Sequence, residues 1–230
     1  MSARIDRSLI PAFPNLDFEQ ALWQNNFQSI AGLDEAGRGA WAGPVAAAAV
    51  ILPNDSKIQQ RLKGVRDSKE LSAKKRSEFA PLIKQVAAAW GSGMCTSQEI
   101  DEIGILPATR LAMQRALDSI CLTIDALLID ALFLSDNQLP QTALIKGDQR
   151  SLSIAAASIL AKTARDAWMC EIDNVITGYA FTRHKGYGTA LHQQLLARFG
   201  PCAIHRRSFA PIRAMLSKKS PVNKETGDLP

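Results

Sequence analysis

The sequence predicts an α/β layer protein. Short apolar runs alternate with longer segments of helical period, the pattern of strands covered by helices. Three strand-like runs end at or just before an aspartate: Asp34, Asp130 and Asp148. In such sheets, binding groups collect at strand ends, where loops face a cleft. No internal repeat or long low-complexity block competes with a layered reading.

Taken in order, residues 1–26 read as an N-terminal extension with scattered Leu9, Phe13, Phe18, Leu22 and Trp23, enough to dock on a core but not to form one. Residues 28–34 predict a strand ending at Asp34, and 43–52 a buried strand. Ser72 is placed to cap a helix over 72–87, with Phe79, Leu82, Ile83 and Val86 at helical spacing. Residues 88–95 predict a strand. A helix over 107–120 opens on Pro107, a residue suited to a first helical turn. The runs 125–130 (DALLID) and 142–146 (TALIK) predict short strands. A strong helix over 152–172 keeps Ile154, Ala157, Ser158, Ala161, Ala164 and Trp168 on one side, mostly small residues suited to close packing behind Asp148. Helices near 189–199 and 208–217 follow, and the polar 218–230 predicts a disordered tail.

A chain of 230 residues that is 47% hydrophobic can bury a core without disulfides or structural metal. Cys95, Cys121, Cys170 and Cys202 lack zinc or redox spacing and read as reduced thiols of a cytosolic protein. The N-terminus lacks a signal-peptide pattern, and the longest near-apolar run, 40–52, is too short to span a bilayer. A cytoplasmic protein with no membrane association is expected. Nothing suggests a heptad, so a monomer is expected. The formal charge is +5 but unevenly spread. From Asn174 to Lys224 there is no acid, and nine of the 27 basic residues lie there, among them Arg183, Lys185, Arg198, Arg206, Arg207 and Arg213. A basic quarter on a mildly acidic body suits a polyanion.

The stretch GLDEAGRG (32–39) sets Asp34 and Glu35 against a glycine-rich turn. Carboxylates gathered in a cleft stay ionised together only with positive charge among them. Oxygen-only donors suit Mg²⁺ or Mn²⁺, and two such ions roughly 4 Å apart suit phosphodiester hydrolysis. Adjacent Asp34 and Glu35 point to opposite faces of a regular strand, so both serve one site only if the strand turns there. Gly37 and Gly39 permit that turn and a close backbone approach. His184, His192 and His205 read as structural or phosphate-adjacent rather than metal ligands. No P-loop is present, which argues against ATP hydrolysis.

Together, LDEAGRG, AGPVAAAAVIL, DSKELS, LLID, KGDQRSLSIAAASILAKTARD, HKGYGT and HRRSF, in that order, resemble ribonuclease HII, the type 2 ribonuclease H family, over residues 28–215. The resemblance implies a ribonuclease H-like fold: a central mixed five-stranded sheet flanked by helices, with a C-terminal helical extension. It places the catalytic domain at 27–200 and the C-terminal helical part at 201–217. It implies hydrolysis on the 5′ side of ribonucleotides embedded in DNA duplexes, and of the RNA strand of RNA–DNA hybrids, leaving 5′-phosphate and 3′-hydroxyl ends. The cellular role it implies is ribonucleotide and RNA primer removal. By motif, Asp34, Glu35, Asp130 and Asp148 are the catalytic acids and metal ligands. Gly37, Arg38 and Gly39 are expected to sense the ribose 2′-hydroxyl, and Tyr187 to stack on the next sugar. Arg66, Ser68, Lys69 and Lys146 are expected to contact substrate.

Three departures stand out. Ala40-Trp41 follows GRG where Pro-Leu is common. Glu70 replaces a usual lysine. Ala131 replaces a usual glycine after Asp130, which makes a left-handed turn there less expected. Two other readings stay open: another metal nuclease on this fold, and a non-catalytic nucleic-acid-binding module.

Overall fold

The computed structural model describes residues 10–218. All but Lys218 of the tail expected to be disordered falls outside that span. Lys218 itself ends the last helix.

A mixed five-stranded sheet runs in the order β3-β2-β1-β4-β5. Its strands are β1 (Ile30–Ala36), β2 (Val45–Ile51), β3 (Ala89–Cys95), β4 (Ala126–Asp130) and β5 (Gln141–Leu144). β1 pairs antiparallel with β2, and β2 with β3, whereas β4 is parallel to both β1 and β5. Every residue of β2 is buried, which explains its unbroken apolar run VAAAAVI.

The helices are α1 (Asp17–Gln24), α2 (Ile58–Arg61), α3 (Ala73–Val86), α4 (Ser97–Ile103), α5 (Ile105–Asp118), α6 (Leu152–Val175), α7 (Phe181–His184), α8 (Ala190–Phe199) and α9 (Ala210–Lys218). The long α6 and α3 cover one face, where Ile30, Ala48, Val50 and Leu128 meet Ile154, Ala157 and Ala161. On the other face α5 lays Ala108, Ala112, Met113 and Ala116 against Leu33, Ala47, Leu127 and Ile129. Ser72 caps α3 as expected, its hydroxyl accepting from the Lys75 N–H at 3.2 Å.

Four helices, α1, α2, α4 and α7, are additions to the sequence reading, and two of them carry local signals. The first, α1, lies inside the N-terminal extension and buries Trp23. The second, α4, is a short polar segment whose start is marked by a capping box, Thr96 with Glu99. Gly104 (φ 83) separates α4 from α5, so α5 begins two residues earlier than expected and Pro107 still falls in its first turn.

At Gly32, β1 and α6 nearly touch. A Cβ there would lie 2.3 Å from Ser153 Oγ, 2.5 Å from Ser153 C and 2.6 Å from the Ile154 backbone nitrogen. Two of those atoms are main chain, so the helix must lift for a methyl group to enter. Gly32→Ala is expected to cost about 1–3 kcal/mol and to lower the thermal midpoint by several degrees, about 2–4 °C per kcal/mol at this size. A calorimetric midpoint within a degree of wild type would mean that the interface yields freely.

Candidate active site

The site is assembled where β1 outruns β4. Their parallel register ends at Leu33 opposite Ile129, so the next residues, Asp34 and Asp130, stand side by side. Alternation puts both on the α6 face, with Gly32 and Leu128 one step behind them. Asp148 arrives separately, on a 3-10 turn (Gly147–Gln149) that leads into α6. The Gly147 N–H donates to Asp130 Oδ1 at 2.7 Å and ties that turn to the end of β4.

One carboxylate oxygen from each of Asp34, Asp130 and Asp148 falls within 4.8 Å of the others. Asp34 and Asp148 are buried. Burial, followed by repulsion from Glu35, Asp130 and Asp148, pushes the Asp34 carboxyl well above its ordinary range. Burial, then the carboxylates of Asp130 and Asp67, push Asp148 up to about 7, against the pull of Lys69. Burial also raises Asp130, although the Gly147 N–H opposes it. Among the described residues, Asp34 Oδ2 is buried with no hydrogen-bond partner. Crowded carboxyls with an orphaned oxygen are the donor set of a hard cation site, so these residues fit Mg²⁺ or Mn²⁺.

Glu35 is not in that three-oxygen group. Its Oε1 accepts from Arg38 Nη1 at 3.3 Å, and its Oε2 is buried and, among the described residues, unpartnered. Burial raises its carboxyl, with the Arg38 charge opposing. It therefore borders the cluster with a free oxygen rather than joining it in this conformation.

The GRG turn follows immediately. Gly37 has φ 94, and a Cβ on it would lie 2.0 Å from Arg165 Nε. Arg38 and Gly39 are exposed, and around a Gly39 Cβ there is open space. Behind the turn, the buried Arg165 donates to the carbonyls of Pro44 (2.8 Å), Lys185 (2.9 Å) and Ala42 (3.1 Å). Arg206, also fully buried, donates to the carbonyls of Gly43 (3.0 Å) and Arg38 (2.9 Å). Arg206 thus belongs to the frame of the turn, not to the basic surface the charge distribution suggested. Neither arginine was foreseen. A signal existed for Arg165, which stands seven residues after Ser158 and four after Ala161, on the buried stripe of α6.

Tyr187 is partly buried between two cations, Lys162 Nζ at 5.3 Å and Arg165 Cζ at 5.2 Å from its ring. The Tyr187 carbonyl accepts from His192 Nδ1 at 3.0 Å. His192 Nε2 lies 3.0 Å from His205 Nε2, and His205 Nδ1 accepts from the Cys202 N–H at 2.9 Å. That chain needs neutral rings, and burial pushes both His192 and His205 down to about 4. The histidines are structural supports of the Tyr187 loop. Trp41 packs against the same loop, since a Cβ on Gly188 would lie 2.2 Å from its indole.

The remaining expected substrate contacts separate. Lys69 is exposed, with Nζ 3.9 Å from Asp148 Oδ2. Partial desolvation by the neighbouring chain opposes its charge, but Asp67, Asp34, Asp148 and Asp130 outweigh that and raise it. Lys146 is exposed on the left-handed residue before Gly147. Arg66 pairs with Glu70 at 3.7 Å, so the glutamate departure partly neutralises it. Ser68 is buried, its hydroxyl accepting from Ser158 Oγ at 2.9 Å, so it faces the α6 side rather than open groove. Asp67, not singled out from the sequence, is a buried fifth acid whose carboxylate caps the Ser68–Glu70 turn through the Lys69 N–H at 2.9 Å. Ala131 corrects one expectation. It adopts the left-handed conformation (φ 50) without a glycine, its N–H donating to the Leu144 carbonyl at 3.0 Å.

The profile of the family described as Ribonuclease HII matches residues 31–212. A ribonuclease HII of Chloroflexus aurantiacus is 50% identical over 206 residues, covering 89% of this chain and 97% of the relative. One of Roseiflexus castenholzii is 51% identical over 200 residues, covering 86% and 89%. Among solved structures, ribonuclease H2 from Pyrococcus horikoshii OT3 aligns with TM-score 0.67 at 23% identity, over 83% of this chain and 98% of that one. Bst-RNase HIII in complex with Mn²⁺ aligns with TM-score 0.61 at 20% identity, over 83% and 70%. At those identities the structural likeness speaks for the fold.

Proposed function

The chain belongs to the ribonuclease HII family, metal-dependent ribonucleases of the ribonuclease H type, and on that premise we propose that it cuts on the 5′ side of ribonucleotides embedded in duplex DNA. RNA strands of RNA–DNA hybrids are substrates on the same reading, and the ends left are 5′-phosphate and 3′-hydroxyl. The cellular role is removal of ribonucleotides and RNA primers from DNA, by a monomeric enzyme in the cytoplasm. The observation that carries the chemistry is the three-carboxylate group within 4.8 Å, with its orphaned Asp34 oxygen.

Asp34, Asp130 and Asp148 would hold Mg²⁺ or Mn²⁺, and Glu35 would add its free oxygen. The Mn²⁺ bound by the structurally similar Bst-RNase HIII supports that choice of ion. Two ions, when bound, supply an activated water and stabilise the leaving oxygen. The chain's own groups do the rest. Gly37, Arg38 and Gly39 bring main chain and one guanidinium to the ribose 2′-hydroxyl, the atom that separates RNA from DNA. Tyr187 offers a ring face to the next sugar, its other surroundings being Lys162 and the buried Arg165. Lys69, Arg66 and Lys146 line the phosphate path, while Ser68 lies behind them against α6.

The test is a labelled DNA duplex with one ribonucleotide, incubated with Mg²⁺, Mn²⁺ or EDTA. A single metal-dependent cut 5′ of the ribonucleotide is expected. Cleavage of long hybrids without that cut would refute the junction reading of Tyr187. Binding with no cleavage in any metal would favour a non-catalytic module.

A further inference from the structure

The N-terminal extension holds a buried acid that the proposed chemistry does not use. Glu19, on α1, is 1% exposed. Its Oε1 accepts from Ser151 Oγ (2.6 Å), Ser153 Oγ (2.6 Å) and the Ser153 N–H (2.9 Å). Those donors sit at the N-terminal end of α6, immediately after the turn that carries Asp148. The helix already has a neutral cap, Ser151 Oγ accepting from the Ile154 N–H at 3.3 Å. A carboxylate is therefore not needed for capping alone. It does satisfy another free N–H of the first turn, and its charge suits the positive end of a 24-residue helix.

The contacts around it form a brace. The Asn15 N–H donates to the Arg150 carbonyl at 3.2 Å, and the Leu152 N–H donates to the Asn15 carbonyl at 2.8 Å. The Arg150 guanidinium lies 4.9 Å from the Phe18 ring centre. Residues 150–152 are thus held by the extension from three directions. On its other side, Ser153 meets Gly32 of β1, two residues before Asp34. The Glu19 cluster spans the foot of both arms of the site: the turn bearing Asp148 and the strand bearing Asp34.

We propose that Glu19 is a positioning residue, which makes the N-terminal extension part of the catalytic unit by fixing Asp148 against Asp34. The proposal rests on the metal-dependent reading of the acid cluster. Groups that orient metal ligands from behind typically change metal affinity or activity by about 10–100-fold when removed.

Glu19→Ala, Glu19→Gln and Ser153→Ala are compared with wild type in the full chain. The readouts are circular dichroism, steady-state cleavage, and calorimetric titration with Mn²⁺ in the absence of nucleic acid. Glu19→Ala is expected to lower kcat about 10-fold or more, leave KM for the duplex within about threefold, and weaken Mn²⁺ binding about 10-fold. Glu19→Gln, which keeps an acceptor for Ser153, is expected to recover most of both. A folded Glu19→Ala with reduced thermal midpoint but wild-type kcat and Mn²⁺ affinity would make Glu19 a tie for stability only. Where Glu19→Ala does not fold, Ser153→Ala decides: it is expected to lower kcat and weaken Mn²⁺ binding severalfold, and wild-type values of both overturn the proposal. Failure of the function reading is separate: wild type would not cleave, while the Mn²⁺ isotherms would still report the brace.

Discussion

Asp34→Asn is expected to lower turnover at least about 10³-fold, the scale of losing one preorganised charge at a reacting centre, and to stabilise the metal-free fold. The two effects share a cause. Asp34 is buried among Glu35, Asp130 and Asp148, and its folded carboxyl is raised above the ordinary 3.8. A raised folded value means that the neutral form stabilises the fold. That contribution is complete below 3.8 and is lost as pH rises through the elevated folded value. Near neutral pH the buried Asp34 carboxyl therefore leaves the metal-free fold less stable than it is below 3.8. Asparagine keeps the acceptor for the Glu35 N–H, which lies 2.7 Å from Asp34 Oδ1, but carries no charge. The gain is read as a rise in the thermal midpoint. Calorimetry in EDTA near pH 7.5 and cleavage in Mg²⁺ check the two halves. Activity within tenfold of wild type would remove Asp34 from the chemistry. A midpoint several degrees lower would show that its charge is not the source of that loss.

The same carboxylates explain what was legible in the sequence. Aspartates closing apolar runs violate the rule for buried strands, and that violation is local, so a one-dimensional reading finds it. Asp34 and Asp130 then meet because adjacent parallel strands share a register. The small-residue stripe of α6 was legible for a similar reason, since close helix–sheet contact excludes large side chains. Glu35 was legible as an acid but not as a position, because its direction depends on how β1 ends. Contacts between distant segments were less accessible. Ser68 reads as a polar residue in a phosphate-facing motif, yet Ser158, 90 residues away, takes its hydroxyl inward. Arg206 reads as surface charge, yet its main partners are carbonyls 163 and 168 residues upstream. Ala131 reads against a left-handed turn, yet it adopts one, with its N–H bonded to the Leu144 carbonyl of β5.

The carbonyls that hold Arg165 make Gly37→Ala the other prediction of large effect. Alanine at φ 94 costs about 1–3 kcal/mol in backbone strain alone. The new methyl group would also meet Arg165 at Nε (2.0 Å), Cδ (2.4 Å) and Cζ (2.8 Å). A long exposed side chain would swing aside, but Arg165 is buried and held by the carbonyls of Pro44, Lys185 and Ala42. Moving it leaves those acceptors short of donors and withdraws a cation from the Tyr187 ring. The turn proposed to read the 2′-hydroxyl and the loop proposed to read the next sugar are thus displaced together. Gly37→Ala is expected to lower kcat/KM on a single-ribonucleotide duplex about 100-fold, the scale of a misplacement near 1 Å, and to lower the thermal midpoint. Gly39→Ala is the control, because its Cβ meets nothing within 4 Å and no positive φ is required. It should leave the midpoint within a degree or two. If Gly37→Ala kept both its midpoint and its kcat/KM, Arg165 would not be a fixed support, and the link between the two reading elements would fail. If only the midpoint fell, the link would be one of stability and the substrate would reorder the turn on binding.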